Sequence, residues 1–227
     1  CSATIANPGE HASRLVGRAV GAVDQSGAPQ GRRHVVLYNP PVINAELGVR
    51  ASYIQKGKAL ALELLKRDIS VIVFALSRLN VELLMKYLRE AVAREGRAAS
   101  MVQGYRGGYL PGRRREIERG LRDGAIRCVV ATNALELGID IGSLDACVVT
   151  GYPGSQASLW QQWGRSGRRA GTSLAVFVAR SAPIDQYLVG HPDFLLGQSP
   201  ERALIDPDNP YILADHVKCA AFELPFE

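Results

Sequence analysis

Short runs of apolar and β-branched residues recur along this chain and alternate with segments of helical periodicity. The runs lie at 71–76, 126–132 and 144–150. Apolar runs of this length, bounded by Gly or Asn, are typical of central parallel strands that are buried on both faces. The segments Arg50–Arg67 and Asn80–Arg94 instead carry leucines at the spacing of one helix face. The alternation continues to Phe177 and predicts an α/β fold, in which right-handed crossovers place helices on both faces of a parallel sheet.

The two ends of the chain depart from this alternation. Ala19–Asn39 contains two β-rich arms around the Gly- and Pro-rich segment Gln25–Gly31, and this pattern predicts a hairpin. After Pro183 the pattern predicts a tail of short helices separated by prolines. A chain of 227 residues, of which 47% are hydrophobic, is long enough for one ordered α/β domain with an extension at each end.

A short arginine-rich segment, Gln161–Arg169, carries Arg165 and Arg168 close to Gly164. Arginine is always charged and presents a rigid fork of donors, so a pair of arginines is suited to neutralise charge on a transferring phosphoryl group. Glycines let the backbone approach the phosphates. An isolated Gly-Arg-x-Gly-Arg is equally compatible with a solvated basic turn after a helix.

The loop after the predicted strand 126–132 favours the phosphate interpretation. Thr132 and Asp140 lie in this loop, and open α/β sheets bind ligands at the carboxyl ends of their strands. The next predicted strand, 144–150, leads into a predicted helix, 155–163, that carries the arginine pair. The two polar segments are therefore expected on adjacent strand-loop units of one sheet. Thr132 also suits a simpler role as a helix cap for Ala134.

A second basic concentration lies between residues 105 and 127, in a chain whose net charge is +5. Tyr105 and Tyr109 are interleaved with its arginines, which are Arg106, Arg113, Arg114, Arg115, Arg119, Arg122 and Arg127. Arginines contact backbone phosphates, and aromatic rings support bases or sugars. The alternative is that Arg113–Arg122 forms the exposed face of an amphipathic helix whose buried face carries Ile117 and Leu121. Both interpretations stay open at this point.

The cysteines and the hydropathy of the sequence indicate the cellular compartment of the protein. The four cysteines show no C-x-x-C pairing, and Cys128 and Cys147 lie in apolar runs where reduced, buried thiols are common. His216-x-x-Cys219 supplies half of a metal site, and helix packing is the preferred interpretation because structural zinc takes four ligands. No apolar run approaches the roughly 20 residues that span a bilayer. We expect a cytoplasmic protein without a metal site or membrane contact.

Several segments resemble motifs of superfamily 2 helicases. Ala131–Asp140 is similar to motif V, and Gln161–Arg168 fits the Q-x-x-G-R-x-G-R pattern of motif VI. Val71–Arg78 is similar to motif IV, and Ser2-Ala3-Thr4 matches motif III, which closes the first RecA-like domain of these enzymes. Motifs V and VI in this order and spacing are a strong signal together.

Further segments resemble one branch of that superfamily, the YprA-like (mitomycin repair factor A-like) DEAD/DEAH-box DNA helicases. They are Cys1–Pro8, Tyr38–Pro41, Gly104–Tyr109 and His216–Pro225. The resemblance covers nearly the whole chain and implies a RecA-like fold, ATP-dependent helicase activity and a role in DNA repair. It also implies two partners, single-stranded DNA and the first RecA-like domain of the same polypeptide.

The resemblance assigns roles to individual residues. It implies that Arg165 and Arg168 are arginine fingers and that Gln161 orients water or the γ-phosphate. Nucleotide contacts are implied for Gly138, Asp140 and Gly164. Contacts with nucleic acid are implied for Ser77, Arg78, Tyr105, Arg106 and Thr132.

Two motifs of such helicases are absent from this sequence. It contains no G-x-x-x-x-G-K-[ST] loop to cradle phosphates and no Asp-Glu-x-His box to hold Mg²⁺. We therefore expect ATP and Mg²⁺ to bind mainly to a separate first motor domain, and this chain alone to be inactive in ATP hydrolysis. The expected organisation is the end of the first domain with a linker over 1–40, the second RecA-like domain over 41–182 and a helical extension over 183–227.

Other functions remain open from the sequence. An RNA helicase domain is possible because phosphate contacts distinguish RNA from DNA only where a 2′-hydroxyl is recognised. A degenerate, non-catalytic nucleic-acid-binding module is a second alternative, which the presence of both Arg165 and Arg168 disfavours. A small-molecule α/β enzyme is disfavoured because the sequence has no G-x-G-x-x-G after a first strand and no nucleophile elbow.

Overall fold

The structure is a computed structural model that describes residues 4–25, 27, 31–136, 139, 141–142, 144–167 and 171–224. The chain divides into a larger compact unit, residues 27–198, and a smaller one formed by residues 1–26 with 199–227. The strands are β1 Arg33–Tyr38, β2 Val42–Asn44, β3 Val49–Arg50, β4 Val71–Ala75, β5 Val102–Tyr105, β6 Cys128–Ala131, β7 Ala146–Thr150 and β8 Ser173–Val178. The α-helices are α1 Pro8–Val16, α2 Tyr53–Lys66, α3 Arg78–Arg94, α4 Pro111–Arg122, α5 Gln156–Trp163, α6 Pro183–Gly190, α7 Pro192–Leu196 and α8 Pro210–Glu223.

The larger unit is built on a six-stranded sheet with the order β1-β8-β7-β4-β6-β5, in which every pair of neighbours is parallel. Alternate residues of β4 show how both faces are buried. Ile72 and Phe74 pack with residues of α4 to α7, whereas Val71 and Val73 pack with residues of α2 and α3. The predicted α/β architecture, a RecA-like parallel sheet with helices on both faces, is confirmed.

The helix boundaries follow from local side-chain chemistry. Ser52, Ser77 and Ser155 precede α2, α3 and α5, and each hydroxyl accepts a hydrogen bond from a backbone N–H of the first turn. Such caps satisfy donors that a helix start leaves unpaired. Trp163 of α5 is fully buried and packs edge to face against Trp160, with 5.4 Å between the ring centroids, as expected for residues that pack the helix on the sheet. Burial raises the pKa of the Cys128 thiol to about 12, consistent with the predicted buried thiol.

The predicted N-terminal hairpin is wrong. No strand forms in residues 19–25, and the expected second arm is β1, which pairs in parallel with β8 at the edge of the sheet. This pairing packs Val35 and Leu37 against the core, an apolar contact that a free hairpin lacks. Among the described residues the two-stranded antiparallel pair is instead β2 with β3.

The compact units also differ from the expected boundaries at residues 40 and 182. The larger unit begins at Gly27 and ends at Gln198. It includes α6 and α7 because Leu188 and Leu195 are fully buried in its core.

The smaller unit joins residues from the two ends of the sequence. Asn7 and Ala203 exchange two hydrogen bonds, in which Asn7 Nδ2 donates to the Ala203 carbonyl at 3.1 Å and Ala203 N–H donates to Asn7 Oδ1 at 2.8 Å. Arg202 pairs with Glu10. In its helices α1 and α8 no residue is buried, and Tyr211 and Phe222 of α8 are strongly exposed.

Candidate nucleotide and nucleic-acid site

Three adjacent strands end at the residues predicted to contact nucleic acid. In the sheet β4 lies beside β6, and β6 lies beside β5. Ser77 follows β4, Arg106 follows β5 and Thr132 follows β6. Because these strands are parallel, their carboxyl ends lie on one edge of the sheet, where open α/β sheets bind ligands. The fold therefore places the three predicted residues along one edge.

Ser77 and Arg78 begin α3 at this edge. Ser77 Oγ accepts a hydrogen bond from Asn80 N–H at 3.1 Å, so the hydroxyl serves as a helix cap. Arg78 is exposed, and its side chain forms no hydrogen bond or ion pair with other described residues. Its guanidinium lies near Gly107 in the loop after β5. Arg78 is therefore a cation that is accessible from solvent at the strand ends.

Thr132 performs the alternative role expected from the sequence. Its Oγ1 accepts a hydrogen bond from Ala134 N–H at 3.4 Å and caps the single 3₁₀ turn Asn133–Leu135. The Thr132 N–H donates to the Tyr105 carbonyl, which extends the pairing of β6 with β5 by one residue. Thr132 is half-buried, so capping and a phosphate contact are compatible.

Tyr105 occupies a different place from the one expected. Its ring is 1% exposed within the core, and its hydroxyl donates to Glu118 Oε1 at 2.8 Å. Burial, reinforced by the Glu118 carboxylate, raises the Tyr105 pKa to about 12. A buried ring offers no face to a base, so the expected direct contact with nucleic acid is corrected to a supporting role. Tyr105 ties β5 to α4.

Arg106 belongs to a cluster of three side chains that sequence reasoning did not anticipate. Its Nε donates to Glu82 Oε1 at 2.7 Å, and the Tyr109 hydroxyl donates to the same oxygen at 3.1 Å. The Arg106 guanidinium also lies over the Tyr109 ring, 4.8 Å from its centroid. The Arg106 pKa is raised chiefly by the hydrogen bond with Glu82, and the Tyr109 pKa is raised first by burial and then by the Glu82 charge. We call these residues the Arg106 cluster.

Glycines shape the loop that carries this cluster. A Cβ at Gly104 would lie 2.9 Å from the Tyr109 hydroxyl and 3.0 Å from the Met85 sulfur, so a side chain there would displace the tyrosine from Glu82. Gly108 has a φ of +95°, a conformation that favours glycine. Gly104–Tyr109 is therefore a compact turn whose glycines bring the tyrosine hydroxyl to α3.

Arg165 is buried and serves as a clamp on the loop after β6. It is 4% exposed. Its Nε and Nη2 donate to the Glu136 carbonyl at 3.1 and 2.5 Å, and its Nη1 donates to the Ile139 carbonyl at 2.9 Å. One guanidinium fork thus satisfies two backbone carbonyls of the segment that follows β6. In this conformation Arg165 is engaged with the backbone of its own domain.

The Glu136 side chain strengthens the same connection. Its Oε2 accepts from the Ser158 hydroxyl at 2.6 Å and from Gln162 Nε2 at 3.1 Å, both on α5. Gln162 is 3% exposed. Gln161, the glutamine predicted to act on the phosphate, is half-buried and hydrogen-bonds no other described residue through its side chain. We refer to Glu136, Ser158, Gln162 and Arg165 as the Arg165 clamp.

The turn after α5 is held on several sides. Gly164 follows the helix as its C-cap, and its N–H donates to the Trp160 carbonyl at 2.8 Å. Gly167 N–H donates to the Leu144 carbonyl at 3.0 Å, and its φ is +77°. A Cβ at Gly167 would overlap the Ser173 hydroxyl oxygen. Both the conformation and the available space at this position require glycine.

Three of the predicted site residues, Gly138, Asp140 and Arg168, lie outside the described residues. Within the described ranges, no group of three or more His, Cys, Asp or Glu side chains is arranged to hold a metal ion. No helix in the described part of the chain has the length and apolar character needed to cross a membrane.

Sequence reasoning missed Glu82, Glu136 and Gln162 for different reasons. Glu82 is one acidic residue in an amphipathic helix and belongs to no motif. Glu136 stands inside the motif V segment, where its side chain was given no role. Gln162 follows Gln161, and the motif pattern specifies Gln161. In the helix, however, Gln162 is the glutamine that is buried. The spacing of Ser158 and Gln162, four residues apart on α5, was the available signal.

Comparison with known proteins finds relatives over nearly the whole chain. The family model described as helicase conserved C-terminal domain matches residues 55–170, which include both clusters. The chain is 56% identical over 225 residues to the uncharacterized ATP-dependent helicase YprA of Bacillus subtilis (strain 168), covering 99% of this chain and 30% of that protein. It is 40% identical over 232 residues to the ATP-dependent helicase HRQ1 of Saccharomyces cerevisiae, covering 99% of this chain and 22% of that protein.

A solved structure is similar over the same extent. The crystal structure of the DUF1998 helicase MrfA bound to DNA and AMPPNP aligns with a TM-score of 0.93 and 56% identity, covering 99% of this chain and 31% of that one. The chain thus spans less than a third of the length of each of these relatives.

Proposed function

This chain belongs to the family of helicase conserved C-terminal domains, and from that premise we propose that it is the second motor domain of a longer ATP-dependent superfamily 2 DNA helicase. One observation carries the proposal. The two arginine-centred clusters lie in segments that follow strands of a single parallel sheet, with Arg106 after β5 and Arg165 after the β7–α5 unit. In this proposal the domain offers Arg106 to nucleic acid and the segment after α5 to nucleotide.

The nucleotide role rests on the segment 161–168. ATP is the substrate, bound mainly by the first motor domain, and this domain closes over it. Arg168, with Arg165 beside it in the sequence, approaches the γ-phosphate, while Asp140 approaches the ribose or the coupling network. An arginine finger raises turnover by roughly three to five orders of magnitude. Because Arg165 holds the Glu136 and Ile139 carbonyls, its use as a finger requires exchange of those bonds on closure. Arg168 is therefore the principal finger in this proposal.

The nucleic-acid role rests on the ends of β4, β5 and β6. Arg78 and Arg106 offer charge to backbone phosphates, and Ser77 and Thr132 offer backbone and hydroxyl groups at helix starts. Single-stranded DNA is the proposed partner because a helicase 56% identical to this chain has been solved with DNA bound. Opening and closing of the two motor domains changes the distance between their strand contacts, and differential affinity of the two states for ATP and strand supplies the energy for translocation.

Mg²⁺, a first motor domain and a cytoplasmic location complete the proposal. The fit of Mg²⁺ to this chain is poor, because no group of three acidic or metal-binding side chains gathers in the described residues. The ion would be held by carboxylates of the first domain, where it would neutralise charge between the β- and γ-phosphates. A reducing compartment accords with the free, buried thiols of Cys128 and Cys147.

The nucleotide role is tested by ATP hydrolysis in the full-length protein, which contains both motor domains. We expect Arg168→Ala to lower DNA-stimulated turnover by at least about a hundredfold, given the contribution of arginine fingers. Arg169→Ala removes the same charge from the neighbouring position, outside the motif VI pattern, and serves as the matched control. Equal turnover of the Arg168 variant and the parent contradicts the assignment.

The nucleic-acid role is tested by binding of this chain to single-stranded DNA at several salt concentrations. For single strands, log K falls with log salt by about 0.7 per phosphate contacted, so Arg106→Ala is expected to lower the slope by about that amount. Arg94→Ala, at the other end of α3, removes the same charge and is expected to leave the slope unchanged. Tighter binding of RNA of the same sequence would favour an RNA helicase domain. DNA binding without DNA-stimulated ATP hydrolysis in the full-length protein would favour the non-catalytic module.

A further inference from the structure

A carboxylate lies at the centre of the surface proposed to bind phosphates. Glu82 is on the first turns of α3, and its Oε1 accepts hydrogen bonds from both Arg106 and Tyr109. Its side chain is 38% exposed. A negative charge beside a phosphate site is unfavourable to the ligand by simple electrostatics. Its presence therefore calls for a structural contribution that outweighs the repulsion.

The contacts of Arg106 suggest what that contribution is. Glu82 bonds the Nε edge of the guanidinium, the Gly107 carbonyl accepts from Nη1 at 3.3 Å, and the Tyr109 ring covers one face. Among the described residues none accepts a hydrogen bond from Nη2, and the side chain remains 27% exposed. The guanidinium is thus fixed on one edge and one face, while part of its donor surface stays open to a ligand.

Fixing an arginine in advance affects binding through entropy. An arginine that is free in solution loses rotamer freedom when it binds a phosphate, whereas an arginine already held by its neighbours loses little. Tyr109 contributes to the same effect because its hydroxyl is tethered to Glu82 while its ring supports the guanidinium. Gly104 leaves the space in which the tyrosine reaches the carboxylate.

We propose that Glu82 is a positioning residue, which holds Arg106 and Tyr109 as a preformed contact for a phosphate of single-stranded DNA. The proposal rests on the proposed function, since it concerns the same strand-binding edge. It predicts a change in DNA affinity opposite to the one that electrostatic repulsion alone predicts. Removing the Glu82 charge takes one negative charge from the surface and nevertheless weakens binding of the strand.

The test compares five variants of this chain, with a fluorescent oligodeoxythymidylate as the probe at fixed salt. Glu82→Gln keeps the size of the side chain and removes the charge that holds Arg106. We expect it to bind the strand about fivefold more weakly, in line with the loss of one immobilised arginine rotamer. Glu90→Gln makes the same charge change at an exposed position two turns further along α3 and is expected to bind as tightly as the parent or slightly more tightly. Arg106→Ala and the double variant Glu82→Gln/Arg106→Ala complete the cycle.

The cycle separates positioning from a general change in fold. If Glu82 acts through Arg106, the double variant binds no more weakly than Arg106→Ala alone, because the arginine it positions is gone. The unfolding midpoint of Glu82→Gln in urea is compared with the parent, and equal midpoints show that the affinity change is local. Tyr109→Phe removes the second hydrogen bond to Glu82 while keeping the ring, and we expect a smaller loss than for Glu82→Gln.

Each other outcome overturns a specific statement. Tighter binding by Glu82→Gln means that Glu82 acts only as a repulsive charge, and the positioning role is then rejected while the strand-binding surface stands. Additive losses in the double variant reject it as well. If Arg106→Ala binds like the parent, or the parent itself does not bind, the strand contact in the proposed function fails, and the positioning role fails with it.

Discussion

Arg106 and Arg165 carry the same guanidinium group in opposite settings. The Arg106 side chain is 27% exposed and is paired with a carboxylate, whereas Arg165 is 4% exposed and donates to backbone carbonyls. A surface carboxylate that holds one edge of a guanidinium leaves the other donors open to a phosphate, and water screens the charge of the pair. Backbone carbonyls in the interior have no substitute donor when the arginine leaves.

The difference indicates two kinds of contribution from one residue type. In the proposal Arg106 serves a ligand and adds little to the fold, while Arg165 bonds the Glu136 and Ile139 carbonyls and is expected to add a great deal to it. A finger role for Arg165 therefore needs a closed state in which the phosphate replaces two internal acceptors. Variants that separate stability from binding can break this comparison or sharpen it.

The largest expected effect is the loss of stability in Arg165→Ala. The substitution removes the donors of the carbonyls of the half-buried residues Glu136 and Ile139, and each such group left unpaired costs about 1–3 kcal/mol. We expect the free energy of unfolding of the larger unit to fall by about 3 kcal/mol. Both tryptophans, Trp160 and Trp163, are on α5, so their fluorescence during urea unfolding reports on the element held by Arg165.

Arg165→Lys and Arg115→Ala are the controls for this measurement. Lysine keeps the charge and lacks the fork that reaches both carbonyls, so we expect it to recover only part of the loss. Arg115 is exposed on α4, and its removal is expected to change stability by less than about 0.5 kcal/mol. An Arg165→Ala protein as stable as the parent would show that the clamp does not hold the loop.

The next effect concerns the turn that precedes Arg168. Gly167→Ala places a Cβ at a φ of +77° and within 2.7 Å of the Ser173 Cβ. The left-handed conformation alone costs roughly 1–2 kcal/mol for a residue other than glycine, and we expect a total loss of about 2 kcal/mol or more. Gly171→Ala is the matched control, because no atom lies within 4 Å of the position that its methyl group would take and its φ lies outside the left-handed range.

A double variant separates the two causes at this turn. Ser173→Gly removes the side chain that a methyl at residue 167 would meet, so Gly167→Ala/Ser173→Gly retains only the conformational strain. The effect of Gly167→Ala on the free energy of unfolding is measured in the parent and in the Ser173→Gly background. If the two effects are equal, the backbone conformation, and not the contact with Ser173, requires glycine at this position.

The framework of the fold was predictable because short apolar runs alternate regularly with segments of helical periodicity. Runs such as Val71–Ala75, apolar at every position, are typical of a strand buried on both faces. The role of β1 was not predictable in the same way. Turn residues at 25–31 indicate a change of direction and do not indicate which partner the next strand pairs with, and here the partner is β8, distant in sequence.

Only those parts of the site that lie in motifs or directly after strands were predictable from the sequence. Arg106, Ser77 and Thr132 follow strands, so their shared edge follows from topology. The burial of Tyr105 could not be inferred, because a tyrosine among arginines has the same sequence pattern whether its ring faces solvent or the core. Glu82 reaches Arg106 from another element, 24 residues away, and a contact of this kind leaves no local pattern.

The dependence of stability on pH tests whether the Tyr105 hydroxyl is buried in the core. Burial and the Glu118 bond raise the Tyr105 pKa from 10.0 to about 12. Between pH 10 and 12 the unfolded chain therefore releases this proton while the folded protein retains it, so the stability present below pH 10 falls as pH rises through this window. We expect Tyr105→Phe to show a shallower decline of the urea midpoint over this range. Parallel declines would contradict the buried position of the hydroxyl.

The smallest expected effect completes the comparison between the two arginines. Arg106→Ala removes a surface pair with Glu82 that water screens and a 3.3 Å hydrogen bond to the Gly107 carbonyl, which water can replace because Gly107 is half-buried. We therefore expect the urea midpoint to stay at the parent's value while binding of single-stranded DNA weakens. Arg165→Ala measured in parallel is expected to behave in the opposite way, with a large loss of stability. If Arg106→Ala instead unfolds at much lower urea, the guanidinium is part of the structure that supports the loop after β5. The separation of the two roles would then be wrong, and its loss of DNA affinity would no longer identify a contact.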